Sequence, residues 1–554
     1  MGGRVGRGRG AAYSHIVKFA RAVALAGLVA VAAAGCTTTS ESVTAVRADE
    51  LRASAGGSPP FVPQPVPDDG ASPDEGATPT TSPDPPATVP TDPAAPDPAT
   101  TDEQPDLTTA PSVPAIVDPE AIDFGPNKPA RARDDFLLAA VSDLDAWWSQ
   151  AFPDIYGAAF APIAAVYAAY PERPDDLPGC GAPRTTYREV NEFAAFYCGV
   201  GDFMIYDDGE GGLLDDLATR FGPASVAIVL AHEYGHAIQQ RAGLLDQGLA
   251  TIVSEQQADC FAGAWAARAT SGVVTGVTFT DQDVKAGLIS MLEVSDPLGI
   301  DQYSPGGHGS GFDRVGAFQE GFTAGAARCA QLVDDPLELV PNLFLSEEDL
   351  YSDGNAPWGY DGDALLGFLP VDLNLYWGTD LTDLFPDFDE LTLVPVVSAD
   401  QVACSSLSDG FEDGAALCPE NDTVYLNEPA ALDLYQQQAF GDFSVGYLIA
   451  VEWAEAVQLA AGSTLSAEPR ALANDCLAGA WVASVMPTET GLPQPRDEAR
   501  TSAISPGDLD EAVRTAILVS DESAGDDVIG GAFEKIAAFR GGVLGGLDTC
   551  LAQF

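Results

Sequence analysis

Two histidines and a glutamate stand in one short apolar segment, with a spacing that suits metal chemistry. The segment reads VAIVLAHEYGHAIQ over 226–239 and contains His232, Glu233 and His236. Its apolar residues predict a buried helix, on which positions i and i+4 share a face, so both imidazoles can face one ion. Imidazole is a good zinc ligand, and two such ligands leave room for a third and for a water. The spacing therefore predicts a zinc site.

Glu233 lies beside this predicted site and can act chemically there. Its carboxylate can take a proton from the water as that water attacks a carbonyl. The alternative is that both histidines are ordinary core residues of an apolar helix. The chain has only four histidines, His15, His232, His236 and His308, so a chance pair at this spacing is rare. We therefore favour the metal site.

The third ligand is expected on the next helical segment, SEQQADCFAGAWAARA. Glu255 and Asp259 lie one turn apart on one face of this predicted helix. Glu255 can supply a carboxylate oxygen and complete a His2Glu set, which is a known catalytic zinc set with an open position. Asp259 is placed to accept the second ring N–H of a ligating histidine and so to fix its tautomer. The alternative for Glu255 is a first-turn residue that only complements the helix dipole.

Four motifs in one order resemble the bacterial neutral zinc metallopeptidase family and cover roughly 141–329. They are AFYCGVGDFMIYDD, HEYGHAIQ, EQQADCFAGAWA and HGSGFDRVGAFQEGFTAG. The resemblance implies a zincin-like α+β domain in which His232, His236 and Glu255 bind zinc and Glu233 is the base. The chain departs from the family at FYCGVGD, where a proline commonly follows the cysteine. Because members are mostly assigned by motif, the resemblance implies no particular substrate.

Other elements of this domain follow from local patterns. Residues 134–151 predict an amphipathic helix, with Trp147 and Trp148 in the core or the cleft wall. EFAAFYCG and DFMIYDD flank a glycine-containing turn and predict a hairpin. In zincins an edge strand near the active helix pairs with extended substrate, and by resemblance this hairpin is the candidate for that role. The acidic stretch DDGEGG that follows is expected to be a solvated loop rather than a calcium site.

His308 lies in a glycine-rich stretch, GGHGSGFDR. Such a loop can bring its ring close to the metal, where it could hydrogen-bond the oxyanion of the tetrahedral intermediate. Arg314 could do similar work or bind a substrate carboxylate. The commoner role of an arginine is a structural ion pair with a nearby acid, and neither role follows from spacing.

The first 36 residues are typical of a bacterial export signal. A basic segment precedes the apolar AVALAGLVAVAAAG, which has the length of a signal peptide rather than of a stable membrane span. The signal ends at Cys36 in AAGC, which resembles a lipoprotein cleavage site, although Ala33 stands where leucine is usual. We expect export and a lipid anchor at Cys36 on the outer face of the cytoplasmic membrane, or secretion if Cys36 is not lipidated.

Composition divides the rest of the chain. Residues 37–130 are rich in Pro, Thr, Ser, Asp and Ala and poor in aromatic residues, which predicts a disordered linker that cannot bury a core. The remainder is too long for one ordinary core and predicts two domains. We expect a zinc metallopeptidase-like domain over 131–335 and a second domain over 336–554.

Self-comparison predicts that the second domain is a degenerate copy of the first. Three segments of the second domain resemble, in the same order, the predicted HEYGH helix, the predicted helix with Glu255 and the last of the four motifs. They are LIAVEWAEAVQL, ALANDCLAGAWVAS and GAFEKIAAFRGGVLGGLDTC. The alignment pairs His232 with Val451, Glu233 with Glu452, His236 with Glu455, Glu255 with Ala471 and Asp259 with Asp475. A copy without the metal ligands cannot hold catalytic zinc in this way. Its expected roles are to cover the first domain, to shape its cleft, to bind something else, or to act as a structural lid with no ligand.

Cysteines support the same division. Nine are present, namely Cys36 and four in each half. An even set in an exported chain predicts disulfides, and no CxxC spacing supports a thiolate zinc site. Several connectivities satisfy each set, and equivalence between the halves favours one. The favoured pairs are Cys180–Cys198 with Cys404–Cys418, and Cys260–Cys329 with Cys476–Cys550.

A formal net charge of −58 excludes some partners. Such a surface repels nucleic acid and anionic head groups. Two function classes remain. The first is a zinc-dependent endopeptidase of the cell envelope that acts on peptide or protein substrates. The second is a non-catalytic envelope lipoprotein with a structural zinc, acting as a binding or scaffold module; such a zinc is closed by four protein ligands.

Overall fold

The computed structural model describes most of the chain after the predicted linker. The described ranges are 46–47, 116–173, 177–245, 247–296, 307–340, 343–344, 354–407, 414–437, 440–487, 504–519 and 528–553. The predicted export signal, with Cys36, lies outside the described residues, as does most of the predicted linker. Within these ranges no helix is both long enough and apolar enough to cross a bilayer.

Helices make up most of the first half, which we define as residues 116–340. They are α1 (Asp134–Tyr156), α2 (Tyr187–Phe193), α3 (Leu213–Phe221), α4 (Pro223–Arg241), α5 (Thr251–Thr270), α6 (Asp281–Glu293) and α7 (Gly311–Gln331). The predicted helix begins at Asp134 as expected and continues beyond 151 to Tyr156. Its Trp147 and Trp148 are buried, which confirms them as core residues.

The starts of α2, α4 and α6 are set by local chemistry. Thr186 and Glu189 form a capping box at the start of α2, and Thr280 and Asp283 form another at the start of α6. Each box satisfies two backbone N–H groups that a helix leaves without partners. Helix α4 instead begins with Pro223, whose missing N–H costs nothing in the first turn. Helix α4, which carries His232 and His236, therefore has a defined start well before its histidines.

Short strands complete the fold. They are β1 (Val46–Arg47), β2 (Ala165–Ala169), β3 (Leu177–Pro178), β4 (Arg184–Thr185), β5 (Ala195–Cys198), β6 (Phe203–Asp207), β7 (Leu343–Phe344), β8 (Thr392–Val396), β9 (Ala415–Cys418) and β10 (Thr423–Asn427). The first sheet has the order β2-β6-β5, in which β2 is parallel and β5 antiparallel to β6. The predicted hairpin is confirmed, and β5 is an edge strand. The mixture of helices and small sheets also confirms the α+β class.

The second half, residues 354–553, contains its own helices and sheet. Its helices are α8 (Leu365–Leu375), α9 (Glu428–Gln436), α10 (Asp442–Ala460), α11 (Ala467–Val485), α12 (Asp508–Val519) and α13 (Val528–Gln553). Its sheet has the order β8-β10-β9, with β8 parallel and β9 antiparallel to β10. The strand orientations therefore follow the same pattern as in the first half.

Disulfides join corresponding places in the two halves. The bridges are Cys180–Cys198, Cys260–Cys329, Cys404–Cys418 and Cys476–Cys550. All four are the pairs that the sequence favoured, so the predicted connectivity is confirmed. The two longer bridges tie α5 to α7 and α11 to α13, and thus fix one helix pair in each half.

Glycines let these bridged helices pack with their backbones in contact. A Cβ on Gly263 of α5 would lie 1.9 Å from the carbonyl oxygen of Phe318, and one on Gly321 of α7 would lie 1.7 Å from that of Cys260. In the second half, Cβ atoms on Gly479 and Gly542 would make equally close contacts with carbonyl oxygens of α13 and α11. Any larger side chain at these positions would separate the helices.

Polar contacts join the two halves where α7 meets α13. The side-chain amide of Gln319 donates to the carbonyl of Phe533 at 2.9 Å, and the guanidinium of Arg540 donates to the carbonyl of Phe312. Gln319 and Arg540 stand at the same distance in sequence before Cys329 and Cys550, and so do Phe312 and Phe533. The contact is therefore reciprocal, as at an interface with two-fold symmetry.

The acidic stretch after β6 differs from expectation. Asp207 and Asp208 are buried, and the Asp208 carboxylate lies 2.8 Å from Lys128 and 2.9 Å from Arg133. The expectation of a solvated loop is wrong for these two residues. Buried carboxylates need partners. Those of Asp208 come from the segment before α1, and the Asp207 carboxylate accepts from the side-chain amide of Asn191 in α2 at 2.8 Å.

Asp313, in the first turn of α7, is a buried acid close to the contact between the halves. It is 2% exposed, and its Oδ1 accepts the backbone N–H of Val340. Burial raises its pKa to about 7, although the neighbouring Arg540 lowers it. Because the folded protein holds this proton more tightly than the unfolded chain, the stabilising contribution is present below about pH 4 and is lost as pH rises through about 7.

We predict that Asp313→Asn flattens part of the dependence of stability on pH. The wild-type free energy of unfolding should fall by at most roughly 4 kcal/mol from this group between about pH 4 and pH 8. The amide does not titrate, so the variant should fall by less. Thermal denaturation of both proteins across this range measures the difference. Parallel curves would contradict the prediction.

Candidate metal centre

The three predicted ligands lie together where α4 packs against α5. Nitrogens of His232 and His236 and a carboxylate oxygen of Glu255 are within 4.8 Å of one another. Glu255 Oε2 is 3.3 Å from His232 Nε2, and Glu255 Oε1 is 3.5 Å from His236 Nε2. The structure thus places the second helix at the distance from the first that a shared ion requires.

Gly235, inside the HEYGH motif, permits this approach. A Cβ at this position would lie 2.9 Å from the Cα of Ala258. Real Cβ atoms do not approach that closely, so a larger residue would push α5 away from α4. The glycine between the two histidines is therefore part of the site, because it brings Glu255 within reach of them.

The ligand set fits a zinc ion. Glu255 Oε2 is buried, and among the described residues it has no donor in hydrogen-bonding geometry. Each histidine uses its Nδ1 for another partner, Asp259 Oδ1 at 2.7 Å for His232 and Gln239 Oε1 at 2.9 Å for His236. Both Nε2 atoms are therefore available on the side of Glu255. Two imidazoles and one carboxylate form a known catalytic zinc set.

Asp259 connects the site to α7. Its carboxylate accepts a hydrogen bond from Nδ1 of His232. It also accepts hydrogen bonds from Nε and Nη2 of Arg314, at 3.0 and 2.8 Å. Arg314 is 3% exposed and donates a third hydrogen bond to the carbonyl of Val294. It therefore forms a structural ion pair, and its guanidinium is not available to bind a substrate carboxylate. A bidentate buried pair of this kind fixes geometry strongly.

Charges within the site are balanced by neighbours. Burial lowers the pKa of His232, but Asp259 and Glu255 raise it by more, to about 10. A zinc ion must therefore displace a proton from this ring when it binds. Burial raises the pKa of Asp259, and Arg314 lowers it by more. Burial likewise raises the pKa of Glu255, but the nearby His236 and His232 lower it by more. The carboxylates are therefore held in the ionised form that a cation requires.

Glu233 lies between the histidines and the edge strand. Its Oε2 accepts the backbone N–H of Tyr197 in β5 at 2.8 Å, and the residue is 9% exposed. The hairpin is held in place farther along, where Asp202 accepts from the Tyr197 hydroxyl and pairs with Arg241 at the end of α4. The predicted base is thus fixed at the edge of the sheet that is the candidate for binding substrate.

His308 lies in the loop before α7, with its ring half-exposed. Asp296 holds this loop: its Oδ2 accepts the backbone N–H groups of His308 and Gly309, and its Oδ1 is 3.1 Å from His308 Nδ1. Asp296 raises the pKa of His308, against the effect of burial, and Glu255 raises it further. Asp296 thus holds the ring through Nδ1 and leaves Nε2 unused by this contact.

Some supporting groups were missed by the reasoning from sequence. They are the N–H of Tyr197, the side chain of Gln239 and the carboxylate of Asp296. Gln239 could have been found, because it lies three residues after His236 on the same helix face. The N–H of Tyr197 and the carboxylate of Asp296 come from segments distant in sequence, and no residue spacing predicts that they reach the site.

The corresponding place in the second half has different chemistry. Glu455, the counterpart of His236, accepts from Asn474 at 2.8 Å and lies 3.4 Å from Arg470. Glu452, the counterpart of Glu233, accepts the backbone N–H of Leu417 in β9 at 2.7 Å. A polar network of side chains therefore stands where the sequence alignment puts the ligand set, and a bond from helix to edge strand is present in both halves.

Comparisons with known proteins agree with this site. The family described as "Putative neutral zinc metallopeptidase" matches residues 125–332. Proteins of Mycobacterium bovis and Mycobacterium tuberculosis, both named only as uncharacterized, are 32% identical over 169 residues. That match covers 26% of this chain and 55% of each relative. No solved structure matches. The matched segment contains every residue of the ligand set, which supports the zinc metallopeptidase family for the first half and a peptidase as its general class.

We predict that Asp259→Asn weakens zinc binding without removing a ligand. The amide cannot hold both Arg314 and the ring of His232, so the ligand loses its orientation and charge support. Loss of such a partner typically lowers metal affinity about 10- to 100-fold. Competition with a chromophoric chelator measures the zinc dissociation constant.

Asp475→Asn is the matched control. Asp475, which the sequence alignment pairs with Asp259, is buried in the second half, where it accepts from Tyr447 and pairs with Lys535 at 3.1 Å. Its replacement should lower stability and leave zinc affinity unchanged. Equal zinc affinity in wild type and Asp259→Asn would refute the role given to Asp259.

Proposed function

We propose that this protein is a zinc-dependent endopeptidase of the cell envelope. The observation that carries the proposal is the position of Glu233, beside a His2Glu ligand set and bonded to the edge strand β5. A base placed there can serve a peptide that lies along the strand. The family match over residues 125–332 supports the same class of reaction.

His232, His236 and Glu255 would hold the zinc. When bound, the ion supplies a Lewis acid that polarises a carbonyl and makes a water acidic. Glu233 accepts the proton of the attacking water and delivers it to the leaving amine. His308 donates a hydrogen bond from Nε2 to the oxyanion that forms at the scissile carbonyl, and Asp296 keeps its ring oriented for this.

Substrate would bind in an extended conformation along β5. This strand has a neighbour in its sheet, β6, on one side, and an extended peptide can add to the other edge by main-chain hydrogen bonds. The N–H of Tyr197 points to that side, since it donates to Glu233. A substrate strand would therefore pass directly by the base. Unfolded polypeptide segments fit this geometry better than folded proteins do.

We also propose that the second half is a degenerate copy of the first. Support comes from the same strand order and orientation, from the equivalent disulfides, and from the reciprocal contact between Gln319 and Arg540. The copy has no histidine at the positions of His232 and His236. Catalysis would then belong to the first half alone.

The competing function is a binding or scaffold protein with a structural zinc. A structural zinc site is closed by four protein ligands. Within the part of the chain that the structure describes, the group around His232 contains three candidate ligand residues. This number favours the catalytic class. Export and a lipid anchor at Cys36 are part of the proposal and rest on the sequence of the export signal.

The central test is Glu233→Gln. Glutamine keeps the shape of the side chain and can still accept from Tyr197, but it cannot take a proton. We expect unchanged zinc content and a loss of turnover of about 10²- to 10⁴-fold on an unfolded protein substrate. Zinc content by atomic absorption and hydrolysis rates, before and after chelation and zinc restoration, give the answer.

Glu452→Gln is the control for that test. It makes the same chemical change at the corresponding helix position and at a similar bond to an edge strand. Its activity should equal that of the wild type. Full turnover by Glu233→Gln, or a loss in Glu452→Gln as large as in Glu233→Gln, would rule out the proposed mechanism.

His308→Ala should keep bound zinc and lose rate. Removing one donor to a developing oxyanion typically costs about 10²-fold or more in kcat. His308→Gln, which keeps an N–H donor, should lose less. Steady-state kinetics and zinc content separate the outcomes: loss of zinc from His308→Ala would make His308 a ligand and displace Glu255.

A further inference from the structure

The start of α7 is capped by the second half of the chain. Asp510 of α12 accepts the backbone N–H of Gly311 at 2.9 Å and that of Phe312 at 2.7 Å. Ser310 supplies the next cap, because its hydroxyl accepts the N–H of Asp313. A helix start leaves its first N–H groups without partners, and a carboxylate there also interacts favourably with the helix dipole. Two of these N–H groups depend on Asp510.

Arg540 of α13 holds the same turn from another side. Its guanidinium donates to the carbonyl of Phe312 and lies 4.1 Å from the centroid of the Phe312 ring. The side chain is 7% exposed, so these contacts are made away from solvent. A Cβ on Gly316 would lie 2.1 Å from the guanidinium. Glycine at 316 is therefore what admits Arg540 to this position.

This turn of α7 is connected directly to the metal centre. Arg314, on the turn itself, makes the bidentate pair with Asp259, and Asp259 holds His232. The loop that carries His308 runs straight into the same turn. A displacement of the turn would therefore move both the predicted zinc ligand His232 and the predicted oxyanion donor His308.

We propose that the second half is a built-in positioning element for the metal centre, in which Asp510 and Arg540 hold the turn that carries Arg314 and follows His308. This inference rests on the proposed function of the first half. It gives the non-catalytic half a defined role in the chemistry of the other half. Asp510 and Arg540 are positioning residues that act through α7 and do not touch zinc or substrate.

The two halves differ at the positions that make this contact. Gly311 and Gly316 of α7 correspond to Ala532 and Ala537 of α13, counted back from Cys329 and Cys550. The counterpart of Arg540 is the shorter, uncharged Gln319. The reciprocal contact is thus specialised in one direction. Gly316 leaves room for Arg540, Gly311 leaves room for Asp510, and both charged side chains hold the half that has the predicted metal ligands.

Asp510→Asn and Arg540→Met in the full-length protein test this inference. Each change removes a contact with the first turn of α7 and keeps most of the side-chain volume. We expect zinc affinity to fall about 10-fold, by analogy with loss of other supporting contacts, together with a lower kcat at saturating zinc. Both quantities are measured well below the unfolding temperature, so that the protein is fully folded.

Gln319→Met is the matched control. It breaks the reciprocal contact, to the carbonyl of Phe533, and leaves the first turn of α7 untouched. It should lower the unfolding temperature without changing zinc affinity or kcat. If Asp510→Asn and Arg540→Met also lose only stability, the second half is a structural partner and the inference is overturned.

The zinc measurement separates this inference from the proposed function. If the wild type binds zinc and hydrolyses no peptide, the proposed peptidase fails. In that case a drop in zinc affinity in Asp510→Asn and Arg540→Met would still support the positioning role. Active wild type with unchanged zinc affinity and kcat in both variants would overturn the positioning role and leave the peptidase standing.

Discussion

One buried carboxylate, Asp259, supports most of what is arranged around the candidate metal centre. It lies between a histidine of α4 and an arginine of α7, and each contact is shorter than 3.1 Å. An ionised group without solvent is tolerated only when its neighbours satisfy it. Helices α4, α5 and α7 must therefore keep one relative position, which the glycines of the packed helices and the Cys260–Cys329 bridge also enforce. The site is rigid because a charge would otherwise be left unpaired.

Features of the fold and the site could be predicted from the sequence when they depend on residues close together in the chain, and could not when they depend on distant segments. The HEYGH helix, its neighbour with Glu255 and Asp259, and the hairpin follow from local periodicity, and the disulfides follow from equivalence between the halves. Asp296 and the N–H of Tyr197 could not be predicted, because loop closure and strand placement bring them to the site. Asp208 shows the same limit, since its partners precede α1 and share no pattern with it.

Glu452 has a structural role in the second half. In both halves a glutamate on the long helix accepts a backbone N–H from the edge strand. An edge-strand N–H that lost this acceptor would be left without a partner near the core. This bond serves packing whether or not histidines lie nearby, so a glutamate at this position is by itself weak evidence for catalysis. In the first half the same bond gives the carboxylate a fixed place beside the ligands.

The reciprocal contact between α7 and α13 has a consequence for how such a chain can change over time. Two equivalent faces on separate molecules would meet only as often as their concentration allowed. Joined in one chain, they meet at a high effective concentration at any dilution. Each face is then free to alter on its own side, since a loss of symmetry no longer threatens assembly. If the second half is a copy of the first, as proposed, this freedom accounts for an arginine on one helix opposite a glutamine on the other, and for a pair in which one half alone carries the two histidines.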